Sequence, residues 1–524
     1  MRCLITVLFL AFVARDVAAR QTTPPATDAV DASVREPAAA PPSARLSASP
    51  SASPVSTIGL PNREMLAWWY LEVDRAWELA RPNADAARTK AAHEAFDRAS
   101  LAFFRFDMAD AVKQLARLRR SLVGGKADLP VPAVSMQVTP RVWIAGQPAP
   151  TATLASLDRS GEVPAALVLE VADVSDHRTS FMVSAKRPEG QPGPWTLEGI
   201  DWGALRAMGG GREAASLRLT LMNGDEAIAA DRLIVTDVSL AARRKEQADA
   251  LATVDAKEEP LKAARAMFES RNGLLTDEPS RNRSSEFLAP YDTLTGSLAL
   301  ELAALRSGRS PYPLEGAWWT TVQAGTTAIP CWFDAPPAAS RHAPMPLLIV
   351  LHGAGGDESM FLHGYGQGGL VKAAVAKGWV VVSPGTTAMM GSAAATKAVV
   401  KAATAMYGID PERIYVAGHS MGGAATSMIA RRSRDVIAAA VCFAGGSFDP
   451  KEACAPTLVL GAEIDPLIPA SRLAANVERA AAAGRPVTYE ECKDNGHTLM
   501  VGDHVSRAMA FLEGKRLAPT DSGE

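Results

Sequence analysis

The spacing of hydrophobic residues changes along the chain and divides it into regions. Over residues 59–126, large apolar side chains recur every three or four positions, which predicts helices that each bury one face. The first apolar stripe contains Trp69, Val73 and Trp77, and the Pro82-Asn83 pair separates it from a second stripe. We therefore predict a helical hairpin of two antiparallel helices, with these aromatic residues in its core.

Residues 127–240 follow a period of two, which is typical of strands that bury one face. Alternating stretches begin at Val134, Phe181 and Leu217, and Gly and Pro residues separate them. The Asn223-Gly224 pair favours a tight hairpin turn. Several short strands joined by turns predict a β-sandwich-like domain of about one hundred residues.

The second half of the chain alternates between helices and strands. Residues 241–310 have helical spacing and form a predicted helical connector, whereas residues 311–524 alternate short apolar runs with helical stretches. Runs such as Pro346–Leu351 and Arg413–Ala417 are mostly apolar, as expected for parallel strands that helices cover on both faces. We predict the α/β fold class for this part, with a mostly parallel sheet.

Two segments precede the predicted helices. Residues 1–19 combine Arg2, an apolar core and the small-residue run Val17-Ala-Ala19, a pattern typical of a cleaved secretory signal peptide. Residues 20–58 are rich in Pro, Ala, Ser and Thr, which predicts a flexible linker. We therefore expect an exported protein, periplasmic or secreted, with no membrane span after removal of the signal.

Charge and cysteine content narrow the possible functions. The 524 residues carry a formal net charge of −3, so no overall basic bias points to a nucleic-acid partner. The four cysteines that follow the signal allow three disulfide pairings or buried free thiols; they are Cys331, Cys442, Cys454 and Cys492. No close cluster of Cys and His has zinc spacing, so we predict no metal site and no required cofactor.

The strongest chemical signal is the pentapeptide Gly418-His-Ser-Met-Gly422. An apolar run, Arg413–Ala417, precedes it and a stretch of good helix formers follows it, which is the context of a nucleophile elbow. Gly418 and Gly422 lack side chains, so the backbone can turn tightly around a strained serine. We predict that Ser420 is the nucleophile.

A serine hydroxyl needs a base to take its proton, and the base needs an orienting acid. With such an elbow, the order along the chain is nucleophile, acid, histidine. Two histidines follow the serine, and we predict His497, in a loop after the last strand, as the base. The other, His504, is expected on the solvated face of the final helix. For the acid we predict Asp465, beyond the next-to-last strand, over its rivals Glu463 and Asp449.

The negative oxygen of a tetrahedral intermediate needs backbone N–H donors that are aimed in advance. We predict the Met421 amide as one donor of this oxyanion hole, because it directly follows the nucleophile. The second donor is expected from the glycine-rich loop after the first central strand, with the Ala354 amide preferred and Gly353 next. We predict that His352 braces that loop and that His419 packs under the elbow.

These residues carry a resemblance to a known family. Residues 346–516 resemble the α/β-hydrolase superfamily, and within it the esterases grouped with polyhydroxybutyrate depolymerases and with feruloyl or acetylxylan esterases. The matching segments are LHGAGG at 351–356, YGIDPERIYVAGHSMGG at 407–423, EIDPLIP at 463–469 and NGHTL at 495–499. The resemblance implies an α/β-hydrolase domain with Ser420, Asp465 and His497 as its catalytic triad. One departure is Gly461-Ala462, where relatives usually carry His-Gly.

The sequence thus predicts an exported serine esterase that acts on a small-molecule or polymeric ester through an acyl-enzyme intermediate. A serine peptidase of the prolyl-oligopeptidase type is an open alternative, because it shares much of this pattern. A cell-surface binding protein with a relic hydrolase domain is a second alternative, and the complete triad argues against it. All predicted catalytic residues follow Pro311, and segment 444–456 is too short to hold a lid. We therefore expect the part after Pro311 to be the catalytic unit.

Overall fold

The structure of the protein is a computed structural model, and its strands form two eight-stranded sheets in the described residues. The described residues are 62–124, 134–157, 163–164, 166–187, 194–210, 212–280, 291–338, 341–342 and 344–517. The predicted signal peptide, residues 1–19, and the predicted linker, residues 20–58, lie outside the described residues. Within the described ranges, no helix is both long enough and apolar enough to cross a membrane.

Three helices, and not the predicted two, open the described chain. They are α1 (Arg63–Ala80), α2 (Ala86–Phe104) and α3 (Met108–Leu122). The second predicted helix is interrupted because Phe106 adopts a φ of 63° and the Asp107 side chain accepts a hydrogen bond from the Asp110 amide, which starts a new helix. Trp69 and Trp77 are buried in the core that the helices share, so the prediction that they are core residues is confirmed.

Among the residues that the structure describes, eight strands follow in the region predicted as a sandwich. They are β1 (Val134–Thr139), β2 (Val142–Ile144), β3 (Thr151–Ser156), β4 (Leu167–Ala172), β5 (Arg178–Lys186), β6 (Trp195–Glu198), β7 (Ala214–Asn223) and β8 (Glu226–Thr236), with helix α4 (Trp202–Met208) before β7. One continuous ladder joins them in the order β1-β3-β6-β5-β4-β7-β8-β2.

The sheet passes from one layer of the sandwich to the other within strand β5. The first part of β5 pairs with β4, and its last three residues pair with β6. Side chains from both parts of the ladder, among them Leu154 and Leu219, share one core, as expected for a sandwich. The predicted Asn223-Gly224 turn joins β7 to β8 in an antiparallel pair.

In the described residues, three helices lead to the carboxy-terminal domain, within the region predicted as a helical connector. They are α5 (Leu240–Ala252), α6 (Glu259–Asn272) and α7 (Tyr291–Arg306). The buried Arg271 guanidinium of α6 pairs with Glu301 of α7 at 3.0 Å and donates to the Trp319 carbonyl at 2.7 Å. Because breaking a buried ion pair leaves an uncompensated charge, this contact fixes the connector to the sheet that follows.

The carboxy-terminal domain contains a second eight-stranded sheet. Its strands are β9 (Trp318–Ala324), β10 (Thr327–Asp334), β11 (Met345–Leu351), β12 (Val380–Pro384), β13 (Ile409–His419), β14 (Ala439–Phe443), β15 (Thr457–Ala462) and β16 (Val487–Cys492). Their order is β16-β15-β14-β13-β11-β12-β10-β9. Strand β10 is antiparallel to β9 and β12, and the other neighbours pair in parallel, so the predicted mostly parallel sheet is confirmed.

Apolar cores lie on both faces of this sheet, which explains why its strands are apolar throughout. The helices of this domain are α8 (Met360–His363), α9 (Tyr365–Ala376), α10 (Thr386–Met389), α11 (Ala393–Tyr407), α12 (Met421–Arg432), α13 (Ala470–Ala482), α14 (Met500–Asp503) and α15 (Val505–Leu512). All residues of β11 are buried. Its successive side chains, such as Leu347 and Leu348, enter two different cores on opposite faces.

The carboxyl edge of the sheet is covered by the amino-terminal helices and not by an insertion. Residues 444–456, between β14 and β15, form a short loop without a helix, as predicted. The Phe103 ring of α2 lies over Gly355, and the Tyr70 hydroxyl of α1 accepts a hydrogen bond from the Tyr365 amide at 2.8 Å. The loops at this edge, where the predicted site residues lie, are therefore packed against a separate part of the chain.

Candidate active site

The predicted nucleophile elbow lies between β13 and α12. Ser420 has φ 55° and ψ −113°, a strained backbone conformation that residues other than glycine rarely adopt. Its amide donates to the Phe443 carbonyl of the neighbouring strand at 2.9 Å. A Cβ atom at Gly422 would overlap the Leu351 carbonyl, and one at Gly418 would overlap the Gly422 carbonyl. Both glycines of the motif are therefore required by close backbone approach.

The Asp465 and His497 side chains meet at the carboxyl edge of the sheet. Asp465 follows β15 and His497 follows the adjacent parallel strand β16, so their loops emerge side by side. His497 Nδ1 lies 2.7 Å from Asp465 Oδ2, and both side chains are buried. The Leu467 and Ile468 amides donate to Asp465 Oδ1 at 2.8 and 2.9 Å, which fixes the carboxylate. With Nδ1–H donated to Asp465, His497 Nε2 carries the lone pair of a base.

His419 joins the elbow to the histidine loop, which is the segment 493–499 that contains His497. Its ring centroid lies 4.8 Å from that of His497, and its Nε2–H donates to the His497 carbonyl at 2.8 Å. The Tyr365 hydroxyl lies 2.9 Å from the other ring nitrogen, Nδ1. Burial lowers the pKa of His419 well below its ordinary value of 6.5, so the ring is neutral. The prediction that His419 packs under the elbow is confirmed.

The His497 imidazole lies between opposing electrostatic influences. Burial lowers its pKa, but the Asp465 carboxylate, together with Asp97, outweighs burial and raises the pKa from 6.5. A positive charge on this ring is therefore stabilised, whereas the neighbouring His419 ring stays uncharged. A histidine that accepts and returns a proton, and whose positive form is stabilised, suits general acid–base chemistry.

The two rival carboxylates are engaged away from the base. Glu463 pairs with Lys493 at 3.1 Å and accepts a hydrogen bond from the Asp494 amide at 2.9 Å. Asp449 is exposed and accepts a hydrogen bond from the Lys451 amide at 2.8 Å. Of the three candidates, Asp465 is the one hydrogen-bonded to His497.

The expectation that His504 lies on the solvated face of a helix is wrong. The predicted final helix is divided at this residue, which lies between α14 and α15. His504 is partly buried, and its Nε2 lies 2.5 Å from Asn495 Oδ1. Its partner is therefore a residue of the histidine loop, and its role there is structural.

Two backbone amides at the sheet edge are suited to bind an oxyanion. Met421 is the first residue of α12, and the first amides of a helix have no intrahelical acceptor. Ala354 lies in a turn that a hydrogen bond from the Gly356 amide to the Gly353 carbonyl closes at 3.1 Å. The Gly353 amide already donates to the Tyr365 hydroxyl at 3.1 Å, which leaves Ala354 as the better placed of the two predicted donors.

His352 braces this loop, as predicted. Its Nδ1 lies 2.9 Å from the Gly353 carbonyl, and its Nε2 accepts a hydrogen bond from the Thr386 amide at 3.1 Å. The Thr386 hydroxyl donates to the His352 carbonyl at 3.0 Å. Both ring nitrogens of this buried histidine are therefore occupied, and it holds the loop against α10.

Helix α2 holds the histidine loop, which the sequence analysis missed. Both carboxylate oxygens of Asp97 accept from the His497 backbone amide, at 3.1 and 3.0 Å. One turn earlier, His93 Nδ1 accepts from the Gly496 amide at 2.9 Å, and His93 Nε2 lies 2.9 Å from Asp503. In the sequence, the signal for these contacts is that two polar residues, His93 and Asp97, lie four positions apart in an apolar helical stripe.

Helix α1 holds the loops on the oxyanion side. The buried Asp74 carboxylate accepts from the Gly366 and Gln367 amides at 2.9 and 2.7 Å, in a segment of positive φ. Arg63 donates to the Gly356 carbonyl and pairs with Asp357 at 2.8 Å. Helices α1 and α2 therefore hold loops of the part after Pro311, and the expectation that this part is the catalytic unit stays a prediction.

All four cysteines of the described chain are buried free thiols, so free thiols are the alternative that the structure favours. In the ranges that the structure describes, no group of three or more His, Cys, Asp or Glu side chains is arranged to hold a metal.

In a comparison with known proteins, a family model matches the segment that contains the predicted site residues. Residues 377–507 match the model of the Dienelactone hydrolase family. No curated protein matches the chain. The solved structures to which the chain is similar include an S-formylglutathione hydrolase from Staphylococcus aureus, with 14% identity and a TM-score of 0.32 over 38% of this chain and 98% of that one. Est1E from Butyrivibrio proteoclasticus has 17% identity and a TM-score of 0.30 over 38% of this chain and 100% of that one. An esterase from Pyrococcus furiosus has 14% identity and a TM-score of 0.33 over 39% of this chain and 94% of that one.

The matched segment contains Ser420, Asp465 and His497 together, on a mostly parallel sheet with apolar cores on both faces. The predicted resemblance is therefore confirmed at the level of the superfamily. The grouping with polyhydroxybutyrate depolymerases and with feruloyl or acetylxylan esterases stays a prediction. The carboxy-terminal part of this chain has the α/β-hydrolase fold, and residues 377–507 within it match a hydrolase family model.

Proposed function

We propose that the protein is an exported serine esterase that cleaves carboxylic esters through an acyl-enzyme intermediate. One observation carries the proposal: a buried Asp465–His497 pair, hydrogen-bonded at 2.7 Å, and a strained elbow serine stand at the same sheet edge. This combination of nucleophile, base and orienting acid is what acyl transfer to serine requires. The steps use only side chains and amides of this chain.

The first half of the reaction forms the acyl-enzyme. His497 Nε2 takes the proton of the Ser420 hydroxyl as the serine oxygen attacks the carbonyl carbon of the ester. The Met421 and Ala354 amides donate to the negative oxygen of the tetrahedral intermediate. His497 then gives its proton to the leaving alcohol as the carbon–oxygen bond of the ester breaks.

The second half releases the acid. His497 takes a proton from water, the hydroxide attacks the acyl carbon, and the bond to Ser420 breaks as the proton returns to the serine oxygen. In both halves Asp465 holds the imidazole through Nδ1–H and stabilises its positive form. The raised pKa of His497, which the Asp465 carboxylate causes against the effect of burial, supports this role.

Export is the part of the proposal that rests on sequence alone. Residues 1–19 have the order of charged, apolar and small residues that a signal peptide needs, and residues 20–58 have the composition of a linker. Expression with residues 1–58 present, followed by amino-terminal sequencing of the exported product, tests this part. We expect the mature chain to begin close to Arg20.

Activity is tested with a panel of p-nitrophenyl and feruloyl esters, each paired with the corresponding amide. The purified protein should hydrolyse at least one ester, with its amide partner cleaved at least a hundredfold more slowly. Ser420→Ala protein from the same preparation is the control for contaminating hydrolases. Comparable rates on matched esters and amides would instead assign a peptidase, and equal turnover by the Ser420→Ala protein would remove the proposal.

A further inference from the structure

Asp97 is a buried carboxylate at the active site that the proposed reaction does not yet use. It comes from α2, 400 residues before His497, and both of its oxygens accept from the His497 backbone amide at 3.1 and 3.0 Å. The residue is 3% exposed. A carboxylate in this position costs desolvation free energy, and one shared amide hydrogen bond compensates it only in part.

The surrounding backbone is fitted to this carboxylate. A Cβ atom at Gly496 would overlap the Asp97 carboxylate, so a larger residue there would displace the Asp97 side chain from its present position. The Gly496 amide donates to His93 Nδ1 at 2.9 Å, one helical turn from Asp97. Two consecutive amides of the histidine loop are thus held by two side chains of the same helix.

The charges around Asp97 come from three parts of the chain. Burial raises the pKa of Asp97 to about 7, against the opposing effect of His497, and the carboxylates of Asp465 and Glu94 raise it further. Glu94 lies on α2 itself and is exposed, Asp465 follows β15, and His497 follows β16. In return, Asp97 raises the pKa of His497, in the same direction as Asp465. The histidine therefore has a carboxylate at its side chain and another at its backbone.

We propose that Asp97 is a positioning residue of the hydrolytic reaction, which fixes the His497 backbone and adds a second negative charge beside the imidazole. This inference rests on the proposed esterase function. Its physical content is that the imidazolium formed when Ser420 gives up its proton is stabilised from two sides. Asp465 acts through Nδ1–H, whereas Asp97 acts through space and by holding the loop in register with the elbow.

The decisive variant is Asp97→Asn. Its side chain has nearly the same shape, its carboxamide oxygen can still accept from the His497 amide, and only the charge is lost. Burial disfavours the charged form of the Asp97 carboxyl group, and this penalty does not apply to a neutral carboxamide. Glu94→Gln is the matched control, because it removes one negative charge from the exposed face of the same helix. Asp97→Ala removes charge and hydrogen bond together.

For the best ester substrate, we expect Asp97→Asn to leave KM unchanged within about twofold and to lower kcat roughly three- to tenfold. The apparent pKa in the pH profile of kcat/KM should fall by about half a unit or more, because a favourable charge next to the imidazolium is gone. Asp97→Ala should lower kcat by about a hundredfold, since a misplaced base also loses its geometry. Glu94→Gln should follow the wild-type profile.

A readout without turnover separates this inference from the proposed function. In protein labelled with ¹⁵N-histidine, the His497 nitrogens are titrated by NMR, with His497→Ala used for assignment. The His497 pKa should be lower in Asp97→Asn than in the wild type and in Glu94→Gln. If no ester were hydrolysed by any of these proteins, the esterase proposal would fail while this titration would still decide the role of Asp97.

Two results would overturn the inference. One is a His497 titration and a pH profile in Asp97→Asn that coincide with those of the wild type. The other is a loss of kcat that follows only a loss of thermal stability, with the pH profile unchanged, since this would make Asp97 a structural residue. If Asp97→Ala did not fold, Asp97→Asn alone would decide between these outcomes.

Discussion

The nucleophile elbow and the histidine loop stand side by side, yet they are supported in opposite ways. The elbow is held by backbone atoms of its own domain, with Gly422 against Leu351 and the Ser420 amide on Phe443. The histidine loop is held largely by α2, from 400 residues earlier in the chain. A constraint that is local can be encoded in five residues, whereas a loop fixed by a distant helix depends on the whole fold.

This contrast predicts different consequences of mutation in the two regions, and the largest effect is expected at the elbow. Ser420→Ala should lower kcat/KM for an ester by about four orders of magnitude or more, with thermal stability unchanged. Steady-state kinetics and a thermal scan measure both quantities. Ser471→Ala, at an exposed serine of α13, is the control and should behave as the wild type. More than a tenth of wild-type activity in the Ser420→Ala protein would contradict the assignment.

The histidine loop offers a matched pair of substitutions. His497→Ala should lower kcat roughly a thousandfold or more, because the serine loses its base. His504→Ala removes a histidine of the same loop region, whose contact is Asn495, and should cost less than about tenfold through local loosening. The opposite ranking in the same kinetic assay would transfer the base role to His504.

Backbone packing at the elbow is tested through stability. Gly422→Ala places a methyl group against the Leu351 carbonyl and should lower the free energy of unfolding by about 3 kcal/mol or more. Gly296→Ala is the control, at a helix position of α7 with open space around its Cβ, and should stabilise by up to about 1 kcal/mol. Urea denaturation measures both changes. Equal effects of the two substitutions would show that the close approach at Gly422 does not contribute to the free energy of unfolding.

The pH dependence of activity is set by the histidine loop. The folded pKa of His497 is raised from 6.5, because Asp465 and Asp97 outweigh the effect of burial. Only the neutral imidazole can accept the serine proton, so kcat/KM should fall as pH decreases through a value above 6.5. Asp465→Asn should move this transition to lower pH, in addition to slowing the reaction. A wild-type profile with its midpoint well below 6.5 would contradict the described charges.

The smallest expected effect concerns the helix contacts on the oxyanion side. Tyr70→Phe removes the hydroxyl that accepts from the Tyr365 amide at 2.8 Å. The unpaired amide should cost about 1 to 2 kcal/mol of stability, and kcat should change by less than about threefold. A large loss of kcat would show that α1 controls catalysis as directly as α2 does.

The sheet and the elbow could be predicted from the sequence because their determinants are local. Continuous apolar runs such as Pro346–Leu351 specify strands that are buried on both faces, and their order with helical runs gives the layers. The elbow glycines are required by contacts within one turn and one neighbouring strand. Asp465 and His497 could be placed because each follows a strand at the carboxyl edge of the sheet.

The contacts of the amino-terminal helices could not be predicted, because they are fixed only by tertiary packing. His93 and Asp97 lie in an apolar stripe, and nothing in that stripe indicates which distant loop they meet. The sequence leaves the Gly353 amide open as an oxyanion donor. In the structure this amide donates to the hydroxyl of Tyr365, which follows twelve residues later. The break in the second predicted helix depends on one positive φ at Phe106, which helical periodicity does not reveal.

The central claim, that Ser420 is the activated nucleophile of a hydrolase, is tested most directly by covalent labelling. The full-length protein is treated with a fluorophosphonate probe, digested and mapped by mass spectrometry, beside Ser420→Ala and His497→Ala proteins. We predict one adduct, on the peptide that contains Ser420, no adduct in Ser420→Ala and strongly slowed labelling in His497→Ala. An adduct on another residue, or undiminished labelling of the Ser420→Ala protein, would contradict the account.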